Sequence, residues 1–233
     1  MHQNRQLAAI MFTDIEGYTT LMQQDESIAI SIRDKHRGIF DDTTSAFHGD
    51  VVQYFGDGTL SVFKSTVEAV ECAIEMQLAF VSEGIPVRIG IHVGDIVYSE
   101  EDIIGDAVNV ASRIESCATA GSILISDKVH DQIRSHRHIE THFLDAYELK
   151  NVDVALPLFA ISNEGLIIPD AKEIKGKLKE GFASEKITKT GRKRSLLLGV
   201  LLGIIAMVIV YFQYFQSPEK PDFLSIAVLP FDN

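Results

Sequence analysis

Twenty consecutive residues near the C-terminal end, Leu196 to Phe215 (LLLGVLLGIIAMVIVYFQYF), carry no charge. As a helix they reach about 30 Å, the thickness of a bilayer's hydrocarbon core. A helix that is apolar on every face does not suit the surface of a water-soluble protein. The sequence therefore predicts one transmembrane helix over 195–215, and everything before it must find a core within itself. Lys189, Arg192, Lys193 and Arg194 lie directly before the run, and only Lys220 lies close behind it. That asymmetry places residues 1–194 in the cytoplasm. Ser195, Gly199 and Gly203 recur every four residues, a spacing that lets two such helices approach closely. Residues 216–233 end on the strand-like SIAVLPF and read as the start of an extracytoplasmic segment.

The part before the run is long enough for one good core. The whole chain has a formal net charge of -12, which disfavours nucleic acid as a partner because that binding needs clustered Lys and Arg. Cys72 and Cys117 have no metal-ligand spacing and fit buried free thiols in a reducing compartment. The chain opens directly on a strand-like run, LAAIMF, rather than on a signal segment. Helical sequence follows to about Phe47, and His48-Gly49-Asp50 breaks it. VVQYFGDGTLSVF, residues 51–63, is two apolar runs meeting at Gly56-Asp57-Gly58, a hairpin signal. Ser65-Thr66-Val67-Glu68 is a capping box for a helix whose Val67, Val70, Ile74, Leu78 and Val81 are spaced for one buried stripe. Pro86 opens the strand VRIGIHV, which Gly94 is expected to turn into DIVYS. Residues 106–117 are helical, then come SILIS as a strand, DKVHDQI as a short helix, and strands through ELKNV and PLFAIS. Helices alternating with hairpin-linked strands define an α+β class, a mainly antiparallel, ferredoxin-like sheet with helices packed on it. Residues 1–162 form this domain, and 163–194, rich in Lys, Gly and Glu, read as a cytoplasmic linker.

Asp57 at the hairpin tip is compatible with ordinary turn chemistry, and Asp14 with a helix N-cap. Together they suggest more. A carboxylate at the end of a buried strand and another at a nearby hairpin tip can converge, and a divalent cation offsets their repulsion. Mg²⁺ takes one or two carboxylates and completes its shell with phosphate oxygens. The helix start at Ile15-Glu16-Gly17-Tyr18 supplies backbone N–H groups suited to those phosphates. Asn109 and Arg113 lie four apart on a helix, so both project from one face. Their neighbours Ala107, Val108, Val110, Ala111 and Ile114 are small or apolar. An amide and a fixed cation on a narrow polar strip suit an anionic oxygen.

FTDIEGYT, QYFGDGTLSVF, GIHVGD, the segment Asp102 to Arg113 and ELKN occur in the order and spacing of class III nucleotidyl cyclases, and residues 7–162 resemble that family. The resemblance implies that Asp14 and Asp57 bind two Mg²⁺ or Mn²⁺ ions, with the Ile15 carbonyl as a further ligand. It implies that Asn109 and Arg113 orient the ribose and stabilise charge at the α-phosphate, that Lys150 contacts the terminal phosphates, and that Asp102 accepts from the adenine amino group. The activity it implies is ATP to 3′,5′-cyclic AMP and pyrophosphate, by metal-assisted attack of the ribose 3′-hydroxyl on the α-phosphorus. The site in this family lies between two subunits, so a homodimer in signal transduction is expected.

Gln53 departs from the pattern. Adenylate cyclases of the family usually carry a lysine there, donating to adenine N1. Gln53 keeps an N–H donor without the charge, and with Asp102 accepting from the amino group the pair still suits adenine. Guanylate cyclases typically place Glu and Cys at these two positions, and neither is present. ATP is favoured, GTP is the alternative, and a silent nucleotide-binding module is a third reading. A diguanylate cyclase lacks support because its Gly-Gly-Asp/Glu turn motif is absent. His130, His136, His138 and His142 read as surface residues, with His136 and His138 sharing a strand face if that stretch is extended.

Overall fold

The computed structural model describes residues 4–98, 103–150, 152, 154–170, 174 and 177–178. The expected transmembrane helix and Asp102 lie outside these residues. Among the described residues no helix is long and apolar enough to cross a membrane.

Strand β1 (Asn4–Ile15) is flanked by β3 (Gly58–Phe63) on one side and β4 (Val87–Tyr98) on the other, antiparallel to both. β2 (Asp50–Phe55) closes the hairpin onto β3 as the edge. Beyond β4 come β6 (Ile123–Ser126), parallel to it, then β8 (Leu156–Ile161), β7 (Thr141–Glu148) and β9 (Lys177–Leu178), each antiparallel to its neighbour. The order is β2-β3-β1-β4-β6-β8-β7-β9, with β5 (Ile103–Ile104) on the end of β4. The α+β class and the mostly antiparallel sheet agree with the sequence. Part of the stretch expected as linker is built into this sheet, since β9 pairs with β7 and Ile174 is buried.

Alternation along the central strands sends side chains into two layers. Ala9, Met11 and Ile15 of β1 and Val87, Ile89, Ile91 and Val93 of β4 meet α2 (Glu26–Ala46) and α3 (Thr66–Ser82) in one cluster. Ala8 and Ile10 face the other way and meet α4 (Asp106–Cys117). α1 (Tyr18–Gln24) and α5 (Asp127–Ile133) complete the helices. The long helix expected before Phe47 is two, because Asp25 ends α1 in extended backbone and caps α2 by accepting from the Ile28 N–H. Ser65 caps α3 as the box predicts, accepting from Glu68 N–H at 3.3 Å.

Two expectations about packing fail, both because of small residues. The buried stripe of α3 runs through Ala69, Val70, Ala73, Met76, Gln77 and Phe80, while Leu78 and Val81 are exposed. Alanines give little hydrophobic signal in a sequence, yet they let a helix settle closely on a sheet. Gly94 does not turn β4, which runs unbroken over twelve residues. A Cβ on Gly94 would lie 2.7 Å from the Ala107 Cβ, and one on Gly90 would lie 2.2 Å from the Glu115 backbone nitrogen. These two glycines are the seat on which α4 rests.

Gly90→Ala should therefore lift α4 and destabilise the domain by ~1–3 kcal/mol, the cost of overpacking. Urea denaturation checks this, and an unchanged midpoint would contradict the close approach.

Candidate active site

Asp14 belongs to the face of β1 that meets α4, and the antiparallel register sets Arg88 of β4 directly across from it. On the other side, Thr13 pairs with Thr59 of β3, so the turn before β3 carries Asp57 to the end of β1. The Asp14 Oδ1 lies 3.4 Å from where a Gly58 Cβ would stand, so the carboxylate packs against the start of β3. The Asp57 carboxyl lies within electrostatic reach of Asp14. Burial, followed by the neighbouring Asp14 charge, pushes its pKa up to about 6. The structure thus brings together the two acids predicted to hold metal.

The opposite face explains what fixes their positions. Thr13 points into the helical layer, where its hydroxyl lies 2.5 Å from the Thr59 hydroxyl and 3.0 Å from His36 Nε2 of α2. His36 is fully buried and stacks on Phe80 at 4.8 Å between ring centroids. Burial lowers its pKa to about 4. A neutral imidazole therefore ties the ends of β1 and β3 together directly behind the acids.

Two further groups join the cluster, neither singled out from the sequence. The Arg88 guanidinium hydrogen-bonds Asp14 Oδ2 through Nη2, and its Nε faces Glu115 Oε1 at 3.1 Å without a hydrogen-bonding angle. Burial works against the Arg88 charge, but Glu115 and Asp14 more than offset it and hold its pKa above the ordinary value. Burial pushes Glu115 up to about 7 despite the attraction of Arg88. A period-two signal was present in VRIGIHV, where Arg88 shares alternate positions with Gly90 and Gly94. It marks a strand face on which a helix lies close.

Asp14, Gly58, Phe12 and Phe55 line a cavity of about 360 Å³ with Asn109, Ser112 and Glu115 of α4. Asn109 is exposed and Arg113 half-buried. Gln53 is exposed on β2, paired with Leu60 past an irregularity that skips Val52. Ile15 and Tyr18 bury their side chains, so each can offer a ligand only its backbone. Gly17 begins α1 with φ 79, while the Glu16 N–H is committed to the Pro86 carbonyl at 2.7 Å. The N–H groups available for phosphate therefore begin at Gly17.

Lys150 is elsewhere. It follows the end of β7, four strand spacings from β1, roughly 19 Å across the sheet. Strand directions make the separation larger. β1 and β8 run one way and β4, β6 and β7 the other, so Lys150 lies at the opposite end of the sheet from Asp14. α4 runs in the same sense as β1, with Ala107 beside Gly94 and Glu115 beside Gly90. Glu115 therefore lies at the Asp14 end and Asn109 lower down. The histidines stay apart from this face. Neither His136 nor His138 lies on a strand, His138 meets Glu71 at 2.7 Å, and His130 stacks on Phe159.

The carboxylates of Asp14 and Asp57 supply hard oxygens, which suit a divalent cation such as Mg²⁺ or Mn²⁺. The acidic pair thus sits at one strand end, with the Asn109–Arg113 helix across the same face of the sheet. The family described as "Adenylate and Guanylate cyclase catalytic domain" matches residues 1–161, and the chain belongs to this class III family of phosphorus–oxygen lyases. It is 36% identical over 160 residues to "Putative adenylate cyclase 3" of Rhizobium meliloti, a match covering 64% of the chain and 27% of that protein. It is 29% identical to an adenylate cyclase of Anabaena cylindrica, over 65% of the chain and 36% of that protein. The chain thus spans about a third or less of these curated relatives. Its structure resembles the "Adenylate/Guanylate Cyclase/Hydrolase" of Silicibacter pomeroyi with a TM-score of 0.65 at 31% identity, covering 70% of this chain and all of that one.

The buried imidazole makes stability depend on pH. With a folded pKa of about 4 and an ordinary value of 6.5, the unfolded chain takes up the proton first, so acid favours unfolding. Between pH 7 and pH 5 His36 should cost about 2 kcal/mol. Glu115 acts in the opposite sense, since its folded pKa near 7 exceeds the ordinary 4.5. Asp57, raised to about 6, acts in the same sense as Glu115. The readout is therefore a difference: from pH 7 to 5 the change in unfolding free energy should favour folding more in His36→Phe than in wild type, by about 2 kcal/mol. Equal changes would mean His36 is not held neutral.

Proposed function

We propose that the chain converts ATP to 3′,5′-cyclic AMP and pyrophosphate as a homodimer with two equivalent sites. The observation that carries this reading is the division of the expected site between opposite ends of one sheet. Asp14 and Asp57 sit at one end, and Lys150 sits at the other, too far for any side chain to span. A two-fold axis perpendicular to the strands would set one end of a protomer against the opposite end of its partner. That operation supports a complete site built from Asp14, Ile15 and Asp57 of one copy and Asn109, Arg113 and Lys150 of the other.

In this reading Asp14, Asp57 and the Ile15 carbonyl hold a pair of Mg²⁺ or Mn²⁺ ions, which when bound activate the ribose 3′-hydroxyl and neutralise phosphate charge. Backbone N–H groups from Gly17 and Tyr18 onward meet the phosphates. Asn109 fixes the ribose for in-line attack, and Arg113 stabilises charge developing on the equatorial oxygens of the α-phosphate. Lys150 holds the pyrophosphate that leaves. Gln53 donates to adenine N1 and Asp102 accepts from the amino group. GTP is the second reading, favoured by the uncharged Gln53 where adenine-specific enzymes usually carry lysine. The helix at 195–215 anchors the protein, with the cyclase domain on the cytoplasmic side, and the product serves intracellular signalling.

The test supplies the protein with ATP or GTP and Mn²⁺ and separates the cyclic products by chromatography. Cyclic AMP is expected, and product from GTP alone would overturn the base assignment. Gln53→Lys should raise the ATP over GTP preference by about fivefold, roughly the worth of one hydrogen bond. Asp57→Ala and Arg113→Ala should each abolish turnover while keeping the sheet. Mixing the two inactive chains under conditions that allow exchange should restore about a quarter of wild-type activity, since half the random pairs contain one intact site of two. A mixture that stays inactive, with mixed dimers verified, would place each site within a single chain.

A further inference from the structure

Arg88 is not explained by the roles assigned above, and its contacts make it more than a structural cation. Asp14 divides its two oxygens between two neighbours. Oδ1 faces Gly58 and the turn that carries Asp57, whereas Oδ2 accepts from Arg88 Nη2. With both Asp14 oxygens open, the two aspartates would have the most lone pairs to offer a pair of cations. In the free chain only the Oδ1 side is open, because a guanidinium already satisfies the other.

Glu115 gives that guanidinium a second anchor. Arg88 and Glu115 have side chains only 15% and 10% exposed, and Arg88 Nε faces Glu115 Oε1 at 3.1 Å with neither atom hydrogen-bonded. This is a close pair with unused bonding capacity, in a place too dry for water to satisfy it. A guanidinium offers five donors in a rigid fork. Turning from Asp14 toward Glu115 would complete the buried pair and free Oδ2 in one movement. The seat of α4 on Gly90 holds Glu115 within that reach, as the Glu115 backbone lies directly over this glycine.

We propose that the Arg88 guanidinium stands in for one of the two cations, so that the free protein offers a single metal position at Asp14 Oδ1 and Asp57, and the second opens only when Arg88 leaves Asp14 Oδ2 for Glu115. Loading is then ordered. One ion binds first, and the second enters together with a nucleoside triphosphate, whose negative charge favours both the ion and the departure of Arg88 from the aspartate. Glu115 is a positioning residue in this scheme, touching neither metal nor nucleotide. The proposal rests on the metal reading of Asp14 and Asp57, and the experiment below separates the two.

The full 233-residue chain in detergent is titrated with Mn²⁺ and followed by electron paramagnetic resonance. Two ions sharing the aspartates, typically about 3.5–4 Å apart, give a spin-coupled spectrum that a single bound ion does not. Wild type without nucleotide should bind one uncoupled Mn²⁺ per chain, and a non-cyclisable ATP analogue should bring up the coupled signal. Arg88→Met should show the coupled signal without nucleotide. A coupled pair in nucleotide-free wild type would overturn the proposal and requires no variant to fold. So would Arg88→Met that retains wild-type circular dichroism yet binds one uncoupled ion. Asp57→Ala serves as the control for the underlying reading. If it binds Mn²⁺ as wild type does, the metal site itself is misplaced; if it loses the ion while Arg88→Met is unchanged, only the role of Arg88 fails.

Discussion

Two half-buried carboxylates held within electrostatic reach of each other are an unfavourable arrangement that a chain must be built to maintain. Here Asp14 and Asp57 are forced together by backbone register, since β1 and β3 are antiparallel neighbours and their ends cannot separate without breaking the ladder. The Thr13, Thr59 and His36 contacts lock the same two ends from the other face of the sheet. Repulsion at the acidic pair is thus balanced by a buried polar link a few ångströms behind it, and the relief available from a divalent cation stays in reserve. The raised Asp57 pKa reflects burial first and then the neighbouring Asp14 charge, which Arg88 offsets only in part.

The second constraint is the seat of α4. Gly90 and Gly94 let the helix approach β4 to backbone contact, which fixes how far Glu115 stands from Arg88 and how far Asn109 stands from the acids. α4 covers only part of its sheet face. Between α4 and the ends of β1, β2 and the start of β3 lies an open cavity with Phe12 and Phe55 on its wall. The proposed function fills this cavity with a nucleotide on the acids and, in the dimer, the far end of a second copy.

Much of this was legible in the sequence, and the exceptions have physical causes. The hairpin around Gly56-Asp57-Gly58 was readable because turn chemistry and flanking apolar runs coincide there. Asp14 was readable because a charge directly after an apolar run must sit at a strand end. The α3 stripe was misjudged because alanines carry its closest contacts, and Gly94 was misjudged because a strand glycine can serve a neighbouring helix as well as a turn. Arg88, Glu115 and His36 escaped notice because their roles arise from register: nothing local sets Arg88 across from Asp14, or His36 beneath Thr13. β9 was missed because two paired residues leave no periodicity. The separation of Lys150 from the acids follows from strand order and direction, neither of which a linear pattern contains.

The most direct measurement is anomalous diffraction at the manganese edge from crystals grown with Mn²⁺ and a non-cyclisable ATP analogue. The account predicts two peaks bridged by Asp14 and Asp57, with Asn109 and Arg113 of a second copy over the ribose and α-phosphate. Peaks away from those two carboxylates, or a nucleotide enclosed entirely by one chain, would contradict it.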